Sequence, residues 1–131
     1  MKLSYEGLIS LSLSHHTRQL LNDSESEKVT YYIDKSTGLS YIDSYINEEG
    51  VYKVFKNYIK IDNLGHSELD KVFIRSIFNR LDSIIDLDFE EMSHNNGSQI
   101  DIYSLQSSSS MNDNSVGQAI AQSSKDGFWW D

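Results

Sequence analysis

The chain has 131 residues, the size of one ordinary domain with a single hydrophobic core. It carries 11 Lys and Arg against 20 Asp and Glu, a formal net charge of −9, which repels nucleic-acid phosphates and anionic lipid surfaces. It has no cysteine, so neither a disulfide nor a thiolate metal site can form. No stretch approaches the roughly 18 uninterrupted apolar residues of a membrane span. We therefore expect neither nucleic acid nor a membrane as a partner.

Residues 1–28 are polar, rich in serine, and end in NDSESEK. Such a segment buries too little apolar surface to offset the entropy lost on ordering, so we predict a flexible arm, mobile unless a partner holds it. Glu6 interrupts the short apolar run near the start, and this pattern is not typical of a signal peptide. From Val29 the sequences VTYYI and GLSYIDSYI favour short strands, or a strand followed by a helical turn.

An amphipathic helix of four to five turns is predicted after Ser67. Ser67 and Asp70 have the spacing of a capping box with a short acidic partner. Leu69, Phe73, Ile77 and Leu81 then recur every four residues. We expect Phe73, Ile77 and Leu81 to be buried against a sheet.

The apolar period changes from 3.6 to 2 after this helix. Leu87 and Phe89 alternate with Asp88 and Glu90, and after the turn HNNGS, Ile100 alternates with Asp101. The pattern predicts two half-buried strands, with the carboxylates on the solvated face. We predict that these strands share a sheet with Tyr58–Asp62. The fold class is therefore α+β, a twisted mixed sheet of about four to five strands with one long amphipathic helix packed on it.

No active site can be assembled from motifs alone. No histidine is followed by Glu, and no two lie four apart, as a zinc-peptidase helix requires. We interpret His66 as a solvent-facing residue at the helix start, and His15 and His16 as a solvated pair, a weak surface metal contact being the alternative. The acidic run from Asp86 to Asp101 would, in an alternative reading, hold paired catalytic carboxylates or calcium, but its alternation favours a solvated face.

Several segments, taken in order, are similar to serralysin-like metallopeptidases of the metzincin clan. GLSYIDSYI at Gly38–Ile46 resembles the G-x-x-YID-x-L motif that opens the family's pattern. A strand, a long helix, a strand similar to LDFEE and a strand similar to aDIxx follow in that family. The regions that look like these four parts are Tyr58–Asp62, Ser67–Ile85, Leu87–Glu91 and Gln99–Tyr103.

The remaining likeness lies near the C-terminus. GQAIA resembles the family's G-x-A-x-A antiparallel edge strand, which pairs with extended peptides, and DGFWWD resembles the GDxWF strand after it. The resemblance implies that residues 29–131 form a metzincin-like N-terminal subdomain. It also implies a peptide-binding edge strand formed by Gly117, Gln118, Ala119, Ile120 and Ala121.

The family's zinc helix, HExxHxxGxxH, has no counterpart before the sequence ends at Asp131. We therefore expect no metal cofactor in this chain, although complete relatives hold zinc, and we expect no peptidase activity from it alone. The alternatives are a non-catalytic peptide-binding module and a subunit completed by another protein chain. Relatives are commonly exported without an N-terminal signal. Without a zinc helix to cover them, Phe128, Trp129 and Trp130 are expected to form an exposed patch.

Overall fold

The computed structural model describes residues 11–23, 27–42, 46–48, 51–53, 59–124 and 127–131. Two helices and ten strands form within these residues. In chain order they are α1 (Leu11–Asp23), β1 (Lys28–Ile33), β2 (Gly38–Ile42), β3 (Ile46–Glu48), β4 (Val51–Lys53), β5 (Ile59–Asn63), α2 (Glu68–Asp82), β6 (Asp88–Met92), β7 (Ile100–Ile102), β8 (Leu105–Ser108), β9 (Ala121–Ser124) and β10 (Gly127–Trp130). Neither described helix has the length and apolarity that crossing a bilayer requires.

The main sheet has the strand order β6-β1-β7-β10-β9. Its first four strands are parallel, and β9 runs antiparallel to β10 at the edge. The structure is mixed α+β, which confirms the predicted class at that level. It contains two described helices where one was predicted. It also contains a second sheet, β2-β5-β8, and a separate β3–β4 pair.

The strand predicted at Tyr58–Asp62 does not join the main sheet. Strand β5 lies between β2 and β8 and is antiparallel to both, while Tyr58 lies outside the described residues. The central place in the main sheet belongs to β1, because Val29, Tyr31 and Ile33 present one continuous buried face. A central position in the main sheet stabilises β1 more than it would stabilise β5, because Lys60 on β5 is exposed.

Helix α2 begins at the capping box that the sequence predicts. The Ser67 hydroxyl accepts a hydrogen bond from the Asp70 N–H at 3.1 Å, and the Ser67 N–H donates to an Asp70 carboxylate oxygen at 2.8 Å. Two N–H groups that the helix itself leaves unpaired are thereby satisfied. The predicted glycine turn before β7 is also present, with Gly97 at a φ of 86°.

The predicted buried face of α2 is wrong. Phe78 faces the sheet and stacks on Tyr31 with 3.9 Å between ring centroids, whereas the side chain of Phe73 is 64% exposed. Ile77 and Leu81 are also exposed. This rotation also brings the Arg75 guanidinium to both carboxylate oxygens of Glu91 on β6, at 2.6 and 2.9 Å. The apolar arc of α2 is wider than the surface that the sheet can cover.

Two alanine substitutions on this helix separate the two faces. We expect Phe78→Ala to lower the free energy of unfolding by about 3–5 kcal/mol, because it leaves a cavity against Tyr31. Phe73→Ala, the matched control, should change it by no more than about 0.5 kcal/mol. Urea denaturation followed by circular dichroism measures both. Equal losses for the two variants would contradict the packing described.

Helix α1 occupies much of the region predicted as a flexible arm. It packs on β10, and Leu20 and His16 are buried. His16 Nε2 bonds to the main-chain oxygen of Trp129 at 2.8 Å, and its ring meets the Trp130 ring edge-on with 4.5 Å between centroids. These contacts bury side chains of a segment that its polar composition predicted to be exposed. The solvated-pair interpretation is therefore wrong for His16, while His15 is exposed.

The predicted aromatic patch at the C-terminus is partly covered. Trp129 and Trp130 are half-buried, and α1 supplies the cover for Trp130 through His16. The side chain of Phe128 lies outside the described part of the structure. The aromatic strand therefore has a partner within the chain itself.

The amide of Gln99 connects α1 to the sheet. Its Oε1 accepts from the Thr30 N–H at 3.0 Å, and its Nε2 donates to the Leu20 carbonyl at 3.3 Å. Its main-chain oxygen accepts from the Trp130 N–H at 2.9 Å. One residue thus joins α1, β1 and β10 at the start of β7.

Substitution of His16 should release α1. Burial holds the pKa of His16 below its ordinary value of 6.5, and the neighbouring His15 adds to this effect, against the hydrogen bond to Trp129. The unfolded chain therefore binds more protons, and the stabilisation is lost as pH falls below about 6.5. His16→Ala should destabilise by about 1–2 kcal/mol and lower the protection factors of the α1 amides against hydrogen exchange, as acidification does in the wild type.

The matched variant is His15→Ala, one residue away on the exposed side of the same helix. It should leave the exchange rates of α1 and the fluorescence of Trp130 unchanged at pH 7.5. If both variants change α1 equally, the contact between His16 and β10 does not hold the helix.

Candidate functional site

A cleft of about 330 Å³ lies between the main sheet, the β2-β5-β8 sheet and the segment before β9. Its lining is largely apolar and includes Ile61, Ile102 and Trp130. Polar groups enter it from β7 and from the end of β10, namely Asp101 and Asp131. A concave apolar surface with a few convergent polar groups is the usual form of a ligand site.

The segment predicted as the edge strand forms one wall of this cleft. Strand β9 begins at Ala121, so the other four predicted residues, Gly117 to Ile120, precede the strand. The observed strand therefore begins four residues after the predicted start at Gly117. Ile120 extends the ladder, because it exchanges N–H and carbonyl hydrogen bonds with Asp131 at 2.8 and 3.0 Å.

Gly117, Gln118 and Ala119 are exposed and have open main-chain groups. Among the described residues, their N–H and carbonyl groups make no hydrogen bond. The side chain of Gln118 is held, since it accepts from the Ser110 hydroxyl at 2.7 Å. This segment therefore combines a fixed position with unpaired main-chain donors and acceptors. We call Gly117–Ala119 the open segment.

Asp101 is the charged group most deeply placed in the cleft. It is 7% exposed and accepts a short hydrogen bond from the Ser98 hydroxyl. Burial raises the pKa of Asp101 to about 7; the Ser98 hydrogen bond opposes this, and the negative charges of Asp131 and Asp34 add to it. Burial and the same carboxylates also raise the pKa of Tyr103.

Neutral donors hold the two neighbouring carboxylates. Asp34 accepts from the N–H of Ser36 at 2.8 Å, and Asp131 accepts from the buried side-chain amide of Gln122 at 2.7 Å. The ion pairs Lys28–Glu90, Lys71–Glu68 and Arg75–Glu91 lie elsewhere on the molecule. Among the residues that the structure describes, no lysine, arginine or histidine lines the cleft. Its polar end is therefore negative.

The solvated-face interpretation of the acidic run holds for Asp88 and Glu90, which are exposed, but is wrong for Asp101. Both faces of β7 are covered, since Ile100 and Ile102 pack against the core cluster and Asp101 is 7% exposed, so alternation no longer marks solvent. Sequence reasoning also missed Asp34 and Asp131. Parallel pairing of β1, β7 and β10 would have predicted their proximity, because the carboxyl ends of parallel strands meet at one edge.

The histidines do not form a metal site within the described residues. The sequence predicts that His66 faces solvent. Instead, its Nε2 is hydrogen-bonded to the main-chain oxygen of Ile102 at 3.1 Å. His94 is exposed. In the part of the chain that the structure describes, no group of three or more His, Asp or Glu side chains is arranged to hold a metal ion.

The fold and the cleft define an α+β protein with a mainly parallel sheet, an antiparallel edge strand and an acidic, apolar-walled groove. Comparison of the chain with family models, with curated proteins and with solved structures finds no match.

Replacing Asp101 tests the electrostatics of this groove. Its pKa rises from an ordinary 3.8 to about 7, so between these values the unfolded chain ionises while the folded chain keeps its proton. The free energy of unfolding therefore falls as pH rises through this window. Asp101→Asn should remove the fall and be more stable than the wild type at pH 8 by about 1–4 kcal/mol.

Denaturant titrations at pH 4, 6 and 8 measure this dependence. Asp86→Asn makes the same change of charge at an exposed position and should leave the pH profile unaltered. A wild-type profile with the same pH dependence as that of Asp101→Asn between pH 4 and 7 would contradict the assignment.

Proposed function

We propose that this chain is the N-terminal, peptide-binding portion of a serralysin-like zinc metalloendopeptidase domain, and that by itself it binds extended peptides without cleaving them. The observation that carries the binding is the open segment, whose unpaired main chain lies along the wall of an apolar cleft. Addition of a peptide strand to an exposed sheet edge uses such groups.

The order of elements supports the relation to this family. The main sheet and its helix follow one another as β1, α2, β6, β7, the antiparallel edge strand β9 and β10. The resemblance implies a strand, a long helix, two strands, an antiparallel edge strand and a final strand. The order agrees from α2 onward, whereas β1 precedes the Gly38–Ile46 motif and does not take the place expected of Tyr58–Asp62.

The ladder between β9 and β10 sets the direction in which a peptide would pair. Because Ile120 points its N–H and carbonyl at Asp131, the main-chain groups of Ala119 point to the opposite side in an antiparallel ladder. A peptide strand added there would present alternate side chains to the cleft. Strand β3 lies near β9, so the open segment, rather than β9 itself, is the part available for pairing.

Catalysis requires groups that this sequence does not supply. In complete relatives zinc polarises the substrate carbonyl and activates water. The sequence contains no HExxH, and the described residues do not fit the metal. Hydrolysis by this chain alone is therefore not part of the proposal.

The exposed face of α2 favours a second candidate, a subunit completed by another polypeptide. Leu69, Phe73, Ile77 and Leu81 form a row along one side of the helix, and each is more than a third exposed. Exposed apolar patches of several hundred Å² generally mark interfaces. The resemblance implies a partner for this row, namely a segment that corresponds to the zinc helix of complete relatives. Of the two alternatives to a peptidase fragment, this row favours completion over an independent binding module.

The proposed function predicts binding without cleavage. A fluorescent octapeptide of extended sequence should bind the purified chain, measured by anisotropy, and stay intact by mass spectrometry with or without added zinc. Ala119→Pro removes one open N–H and should weaken binding by about tenfold, the value of one main-chain hydrogen bond. Ala119→Ser keeps that N–H and should bind as the wild type.

Two peptides with methylated amides provide the complementary control. Because alternate N–H groups of a strand point to opposite sides, methylation of one alternate set should abolish binding and methylation of the other should not. Equal effects from both sets would exclude edge pairing. Zinc-dependent, chelator-sensitive cleavage would overturn the inactive assignment.

A further inference from the structure

We propose that the cleft selects peptides with a lysine or arginine side chain, which enters beside the open segment and pairs its cation with Asp101. This inference rests on the proposed function, since the peptide must first lie along the open segment. It adds a preference for basic peptides, which edge pairing alone does not provide.

The shape and lining of the cleft fit such a side chain. The volume of about 330 Å³ is near the lower end of the range for ligand pockets and suits one long side chain rather than a large ligand. Ile42, Ile61 and Leu105 line it, and lysine and arginine characteristically lay their methylene groups along apolar surface while directing the charge to a polar end.

The acceptor at that polar end has an open position. Asp101 is buried, and one of its oxygens accepts from Ser98. Its other oxygen makes no hydrogen bond to any described residue. A buried carboxylate without a cationic partner is costly, so a ligand cation that completes its coordination gains what the fold leaves unsatisfied.

The surrounding charges favour a cation over a neutral or anionic group. The negative charges of Asp34 and Asp131 act on Asp101, and none of the described residues that line the cleft is basic. The chain as a whole carries −9, which concentrates cationic ligands near the surface. An acidic peptide would meet repulsion from each of these groups.

Three octapeptides that differ only at one central residue test the preference. The residue is lysine, norleucine or glutamate; norleucine keeps the four-carbon chain of lysine and lacks its ammonium group. Anisotropy titrations at pH 8, above the pKa of Asp101, should show the lysine peptide binding about tenfold more tightly than the norleucine peptide. The glutamate peptide should bind most weakly.

The variant Asp101→Asn should bind the lysine and norleucine peptides with equal affinity, while Asp86→Asn should keep the preference for lysine. The comparison of lysine with norleucine on the wild type needs no variant, so a failure of Asp101→Asn to fold leaves the test intact. Equal affinities of the two peptides would overturn the basic preference and leave edge pairing standing. Loss of binding for all peptides would overturn edge pairing itself.

Discussion

The side chain of Gln99 is the interaction on which the arrangement of the sheet depends. A primary amide in a partly buried position must satisfy both its oxygen and its nitrogen. Gln99 does so by bonding β1 through Thr30 and α1 through Leu20. The same residue accepts from Trp130 on β10. The first helix and the last strand, which lie far apart in the sequence, therefore meet at one point, and the cleft beside β10 is built on this junction.

The cleft contains polar groups that destabilise the fold and that a ligand could bind. The folded protein would be more stable with asparagine at position 101, because no described cation offsets the burial of Asp101. Groups that destabilise a fold in this way are concentrated at functional sites. The open segment shows the same pattern in its main chain, since its donors and acceptors face away from the ladder that begins at Ile120. The ligand that we propose, an extended peptide with a cationic side chain, would satisfy both features.

Local signals in the sequence predict local structure well. The capping box at Ser67, the glycine turn at Gly97 and the exposed carboxylates of β6 depend on residues close together in the chain. The burial of His16 and Asp101 depends on strands paired across long separations, which periodicity does not report. The rotation of α2 was missed for the same reason, since Phe78 stacks on Tyr31 of a strand far away in the sequence. Of the candidate cleft, the sequence indicated only the wall formed by Gly117–Ala121. The rest of the lining comes from strands that lie far apart in the sequence.

The sheet joins segments of very different separation along the chain. Strand β1 pairs with β6 and β7, as in Lys28 with Asp88 and Tyr31 with Ile100, so large loops must close before these ladders form, which slows folding. The β9–β10 hairpin is local and is attached to β7 by a short ladder at Trp130. Elements held by so few pairings open with less free energy than global unfolding requires. The wall of the cleft therefore belongs to the part of the chain that is expected to dock last and to separate first.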